Sequence, residues 1–183
     1  VVRIEFVSGE SAKEFVKKKQ QDSESREKED KLKEQEKEKR VERRQLAKER
    51  IPIIAKSLSE CKEGISTIED IIIELTESGK ANFCYSTSND YDDVFHIGLG
   101  EVLCKADPRL VYCGLFEEGE KIRVIVYAGD EISKEKSAGE IVRSISQILG
   151  GAGGGSSKFA QGGGTDKSKK EDAIKNAKTV ILE

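Results

Sequence analysis

The chain has 183 residues, 36% hydrophobic and 37% charged, with a formal net charge of −3. That is enough for one core plus an extended element, and too little for two full domains. No apolar run is long enough to span a bilayer, no signal peptide is expected, and the absence of methionine is expected of a piece of a longer chain.

The net charge hides an asymmetry. Residues 1–80 carry 19 basic and 19 acidic side chains, residues 81–149 carry 7 and 12, and residues 150–183 carry 6 and 4. The middle is a poor place for a polyanion, and the C-terminal segment a better one. Cys61, Cys84, Cys104 and Cys113 are scattered in apolar surroundings without metal-ligand spacing, which fits buried free thiols in a reducing cytosol.

In chain order, Val1–Val7 alternates and is β-branched, so it reads as a strand. Ser8 to Ser11 offers caps, and a helix begins near Ser11. Lys17 to Arg50 is almost wholly charged or polar. Its signs alternate and neither Gly nor Pro interrupts it, so a long solvated helix fits better than disorder. Pro52 is expected to stop or kink that helix, with Ile51 leaving the α region.

Ile51, Ile54, Leu58, Cys61, Ile65, Ile68, Ile72 and Leu75 then step by three and four. That spacing predicts a coiled-coil seam, cut near Gly64 into helices over 53–63 and 67–78. Ile53, Ile71 and Ile73 add a second apolar flank, so these residues are expected to form the interface of a homodimer.

Gly79 ends this helical region. A strand over 81–86 follows, then a helix over 91–105 capped by Ser88-Asn89-Asp90, with Val94, Phe95, Leu99, Val102 and Leu103 inward. Asp107-Pro108 stops it. Strands over 110–116 and 121–128 form a hairpin, and helices are predicted over 137–149 and 167–181. The expected class is α+β. A helical dimerisation part over 11–79 precedes a β-α-β-β-α-loop-α part over 80–183, whose small sheet is covered by helices on one side. Residues 1–10 are read as the end of a preceding domain.

Between the last two helices lies Gly150 to Gly164, with 8 of the 17 glycines. So dense a run reads as a loop, not a strand or helix interior. A plain linker is one reading. A linker, however, has no use for Lys158, Phe159 and Gln161, whereas a loop around a polyanion uses free amides, a cation and a stacking ring. The candidate RNA-binding residues are therefore Gly153, Gly154, Gly155, Ser156, Ser157, Lys158, Phe159, Gln161, Gly162, Gly163, Lys167, Lys169 and Lys170. The lysines sit badly at a helix N-terminus unless an anion stands opposite. Phe159 is either a stacking ring or a plug on its own domain.

No catalytic or metal-ligating set emerges. His96, the only histidine, lies in an apolar run and reads as structural. Asp90, Asp92 and Asp93 suit a helix start. The glycine run lacks the Gly-Lys-Ser/Thr of a P-loop and the preceding strand of a dinucleotide fingerprint.

Gly153-Gly154-Gly155-Ser156-Ser157-Lys158-Phe159-Ala160-Gln161-Gly162-Gly163-Gly164 resembles the glycine signature near the C-terminus of alanyl-tRNA synthetases. That domain is shared with DHH-type phosphodiesterases, in which a histidine typically follows the glycine triplet where Ser156 stands here. Arg3 to Ala12 resembles the end of the synthetase editing domain. The long charged helix looks more like archaeal members than bacterial ones.

The resemblance implies a cytoplasmic domain that pairs two subunits and holds the outer corner of tRNA(Ala). Aminoacylation and editing, with ATP and zinc, would belong to other parts of the enzyme, and no cofactor to this one. Two other readings stand beside it: the substrate-binding domain of a DHH-type phosphodiesterase, which Ser156 disfavours, and a ligand-free coiled-coil module, which the Lys-Phe-Gln insert disfavours.

Overall fold

The structure is a computed structural model and describes residues 9–60, 64–68, 71–77, 81–88 and 91–182. The strand expected over 1–7 and the helix end at Gly79 lie outside these. The chain divides into two compact units, residues 1–42 and 43–183.

Helix α1 spans Glu10–Glu60. The charged run is helical as expected. Within the first unit, Lys33 pairs with Glu29 one turn away at 2.7 Å, and Leu32 and Val41 are exposed to water. The helix also continues through Pro52 to Glu60, contrary to the expected break. Proline there lacks one backbone donor, and packing of the flanking turns within the second unit offsets that loss. Ala47, Ile51 and Ile54 are buried, in contact with Phe95, Leu99 and Tyr112.

The second unit is built on a seven-stranded sheet in the order β1-β2-β3-β4-β5-β7-β6. Its strands are β1 (Gly64–Ile68), β2 (Ile71–Glu77), β3 (Asn82–Ser88), β4 (Leu110–Glu118), β5 (Lys121–Ala128), β6 (Ala152–Gly155) and β7 (Phe159–Gly164). All neighbours are antiparallel except β3 and β4, which are parallel and joined by helix α2 (Asp93–Ala106).

The helices expected over 53–63 and 67–78 are therefore corrected. The first is the end of α1, and the second is replaced by the β1–β2 hairpin, with Ile65 opposite Glu74 and Ile68 opposite Ile71. Isoleucine favours strands, and a three-four stripe of apolar residues does not by itself separate the two structures. Among the described residues the three-four stripe does not run along one helix. Ile51 and Ile54 belong to the core of their own chain, Leu58 falls on α1, Ile65 and Ile68 on β1, and Ile72 and Leu75 on β2. Cys61 lies outside the described residues.

Strand alternation splits the core into two layers, which corrects the expectation of helices on one side. On one face Phe83, Val111, Cys113, Leu115, Val124 and Val126 meet helices α3 (Ala138–Ile148) and α4 (Lys170–Leu182). On the other, Cys84 and Tyr112 meet α2 and the end of α1. The N-cap of α2 is Asp92, not residues 88–90. Its carboxylate accepts from the Phe95 amide and pairs with Arg43 at 3.1 Å. Asp107 ends α2 as expected, while Val102 is exposed. Cys84, Cys104 and Cys113 are buried free thiols, and burial pushes the latter two up to about 12.

Candidate nucleic-acid interface

The glycine-rich segment is not a loop. Both glycine clusters are strands, β6 and β7, paired as a hairpin with Gly153 opposite Gly162 and Gly154 opposite Gln161. A glycine-rich strand is weak in isolation. Here one side of the hairpin lies directly on α3. A methyl group on Gly153 would stand 2.7 Å from the Ser146 hydroxyl, and one on Gly162 would stand 2.7 Å from the Gly153 Cα and 2.8 Å from Val142 Cγ1. Glycine is required so that the sheet can approach the helix. Gly150, at φ 70°, turns the chain out of α3 into β6.

The amides are also not free in the way expected of a loop. β7 lies between β5 and β6, and the Gly163 amide donates to Ser146 Oγ at 3.0 Å. Of the two hairpin strands, β6 is the one at the edge of the sheet, and among the described residues its outer side has no neighbouring strand.

The tip is closed by Ser156. Its hydroxyl accepts from the Lys158 and Phe159 amides at 3.3 and 3.1 Å, and its own amide donates to the Phe159 carbonyl at 2.8 Å. The carbonyls of Ser156 and Ser157 accept from the Gly139 and Ala138 amides at the start of α3. The tip thus satisfies helix donors that would otherwise lack partners. Lys158 pairs with Asp130 at 2.7 Å, which holds the Asp130 carboxyl below its ordinary range.

The sheet face turned away from α3 carries the side chains. Register aligns Tyr127 with Phe159, Ile125 with Gln161 and Gly154, and Arg123 with Gly163 and Ala152. Phe159 is half-buried, its ring 4.8 Å from that of Tyr127; Gln161 is exposed. Beside Gly154, a methyl group would meet open space. Arg123 and Lys121 line a depression of about 310 Å³ with Gly162 and Gly163, and Arg123 lies 3.6 Å from Glu118.

The candidates divide into two groups at opposite ends of β7. Lys158, Phe159 and Gln161 share the tip and the open face. Lys167, Lys169 and Lys170 lie beyond the far end, about 20 Å of extended strand away. Lys167 and Lys169 form a short 3-10 turn capped by Asp166, and α4 itself starts with Glu171 and Asp172 in its first turn. Lys167 bonds Glu117 at 2.5 Å and the Gly119 carbonyl at 3.0 Å, and Lys169 pairs with Asp166 at 3.4 Å. Opposite Lys167 and Lys169 stand carboxylates of the protein itself. Lys170 is half-buried, which lowers its pKa.

Sequence reasoning missed Arg123 and Tyr127, although they alternate with Ile122, Val124 and Val126 on one strand, a period-two signal of an outward face. It also missed Ser146, which reads as an ordinary residue of an amphipathic helix.

His96 is buried and structural. Its Nδ1 lies 2.8 Å from the Tyr112 hydroxyl and 3.2 Å from Ser86 Oγ, while its Nε2 has no partner among the described residues. Burial lowers its pKa to about 3, so it is neutral at ordinary pH. Among the described residues there is no group of three or more His, Cys, Asp or Glu that could hold a metal ion. No helix of the described residues is long and apolar enough to cross a membrane.

Comparison with known proteins agrees with this fold. Over its full length the chain is 42% identical to an alanine–tRNA ligase of Nitrosopumilus maritimus and 34% identical to one of Cenarchaeum symbiosum, each over 182 residues. It spans about a fifth of either relative, 19% in both cases. The crystal structure of the C-Ala domain of Aquifex aeolicus alanyl-tRNA synthetase superposes with a TM-score of 0.56 at 25% identity, covering 60% of this chain and 99% of that one. Residues 82–183, which contain β3 to α4 and the whole glycine hairpin, match the DHHA1 domain, and the chain belongs to that family.

Proposed function

We propose that this chain is the C-terminal part of an alanine–tRNA ligase and that the open face of its glycine hairpin binds the outer corner of tRNA. One observation carries the reading: an aromatic pair, Tyr127 and Phe159, stands beside exposed Gln161 on a floor of glycine. A floor without side chains admits a ribose-phosphate chain closely, and a ring at its edge can stack an unpaired base. Lys158 and Arg123 flank that floor, and each carboxylate now holding them is exchangeable for a phosphate. The similarity to synthetases supports tRNA as the RNA. Aminoacylation and editing, in a cytoplasmic homodimer, would belong to the larger protein.

Filter binding tests the reading. Labelled tRNA(Ala) transcript is expected to be retained by this chain at lower protein concentration than an unstructured RNA of equal length. Equal retention of both, or of neither, would overturn it.

A further inference from the structure

Between α2 and the tip of the glycine hairpin lies an open recess of about 270 Å³, close to the lower end of the roughly 300–1,000 Å³ typical of small-molecule sites. Glu101 and Lys105 line it from the last turns of α2, Tyr127 from the end of β5, Asp130 from the following loop, and Lys158 from the hairpin tip. The Tyr127 ring is held on two sides. Phe159 is 4.8 Å away, and Gly100 of α2 comes so near that a methyl group there would stand 2.7 Å from the ring.

The charges around this ring are unevenly satisfied. Lys158 has a carboxylate partner, Asp130, at 2.7 Å. Glu101 and Lys105 are one helical turn apart, in the order that favours an ion pair. Yet among the described residues neither has an ion-pair partner. Glu101 is near enough to Tyr127 to raise the pKa of its hydroxyl, after the larger effect of burial. The recess therefore combines an aromatic wall, the exposed Glu101 carboxylate and Lys105 ammonium, neither in an ion pair, and Lys158, whose partner Asp130 a phosphate would have to displace.

We propose that this recess takes a single unstacked guanine nucleotide, with Glu101 reading the base edge and Lys105 and Lys158 meeting its phosphate; as a subsite for RNA, this rests on the function proposed above. The choice of base follows from donors and acceptors. An ionised carboxylate only accepts. Guanine presents two adjacent donors, N1–H and the 2-amino group, which match its two oxygens. Adenine and cytosine place a ring-nitrogen lone pair beside their amino group, and uracil flanks its N–H with carbonyls, so each turns an acceptor toward the carboxylate. The shared chemistry is a guanine nucleotide, whether free or within RNA.

NMR titration of the isotopically labelled chain with GMP, IMP, AMP, CMP and UMP tests this directly. IMP keeps N1–H but lacks the 2-amino group. GMP is expected to shift the Tyr127 and Lys158 signals and to bind about tenfold more tightly than IMP, and Glu101→Gln should abolish that preference. In the tRNA assay Glu101→Gln should weaken binding about tenfold, while Glu140→Gln, on α3 outside the recess, should not. GMP bound no better than AMP or IMP, or a preference surviving Glu101→Gln, would overturn the recess even if tRNA binds. Selective GMP binding without tRNA binding would support the recess, assign it to free nucleotide, and overturn the RNA reading alone. Tyr127→Leu gives an independent check: unchanged GMP binding by this variant would also overturn the assignment.

Discussion

The Ser146 hydroxyl of α3 accepts a hydrogen bond from the Gly163 amide of β7 at 3.0 Å, and so ties the glycine hairpin to the helix beneath it. Around this bond the glycines have two roles. Gly153 and Gly162 have no room for a side chain, whereas Gly154 faces open space.

Gly162→Ala should therefore destabilise the protein by about 1–3 kcal/mol, the usual cost of overpacking. Ser146→Ala leaves a half-buried amide without its partner and should cost about 0.5–1.5 kcal/mol. Gly154→Ala should change stability by no more than about 0.5 kcal/mol yet weaken tRNA binding, because its methyl group lies on the open floor. Thermal melts alongside filter binding check all three. A Gly154→Ala protein that binds tRNA normally would remove that glycine from the interface.

Phe159→Ala should weaken tRNA binding by about 1–3 kcal/mol, as expected for a stacking ring. The ring also contacts Tyr127, so about 0.5–1.5 kcal/mol of stability should be lost with it. If the melting temperature falls sharply while the folded fraction binds tRNA as before, Phe159 is a plug and not a stacking surface.

Lys158 and Lys169 should differ in salt dependence. Lys158 sits beside the open face, so Lys158→Ala should reduce the slope of log binding against log salt by about one. Lys169 is held by Asp166 beyond the other end of β7, and Lys169→Ala should leave the slope nearly unchanged. Equal slopes for the two variants would mean that the interface extends to the start of α4.

His96 should give acid sensitivity. Its pKa is lowered by burial from an ordinary value near 6.5 to about 3. Between those values the unfolded chain binds a proton that the folded chain does not, so stability rises with pH there. The contribution is complete above about pH 6.5 and is lost progressively as pH falls toward about 3, by at most about 1.4 kcal/mol per pH unit. Denaturant titrations across this range, compared between the wild type and His96→Phe, should show a steeper slope in the former. Gly114→Ala, whose methyl group would stand 2.5 Å from His96 Nδ1, should destabilise at every pH.

Self-association should not depend on Ile54. Ile54 is wholly buried against its own chain, so Ile54→Ala should cost about 2–5 kcal/mol of folding stability. Leu32 and Val41 are exposed on α1, and replacing both by lysine should shift the proposed dimer toward monomer in sedimentation equilibrium without altering the melt. A monomer for the unmutated chain at micromolar concentration would end the dimer proposal.

What the sequence determined by itself was mostly local. Alternating charge without Gly or Pro specified the helix from Ser11 onward, and Asp107-Pro108 ended α2 where expected. The turn at Gly119, at φ 58°, joined β4 to β5, and amphipathic spacing placed α3 and α4 within a few residues. The glycine signature also marked the segment on which the proposed interface rests, although its strand pairing was not legible there. Tertiary structure decided the rest. Ile65 to Leu75 satisfies a three-four stripe, yet β3 offers a strand edge to pair with, and long-range pairing overrode the local period. Pro52 stayed within a helix because Ile51 and Ile54 had a core to enter. The glycines became strands because β5 and α3 hold the hairpin from two sides, a gain absent from any window of sequence. Register alone then set Tyr127 beside Phe159, and the approach of α2 through Gly100 placed Glu101 at the rim of the same recess.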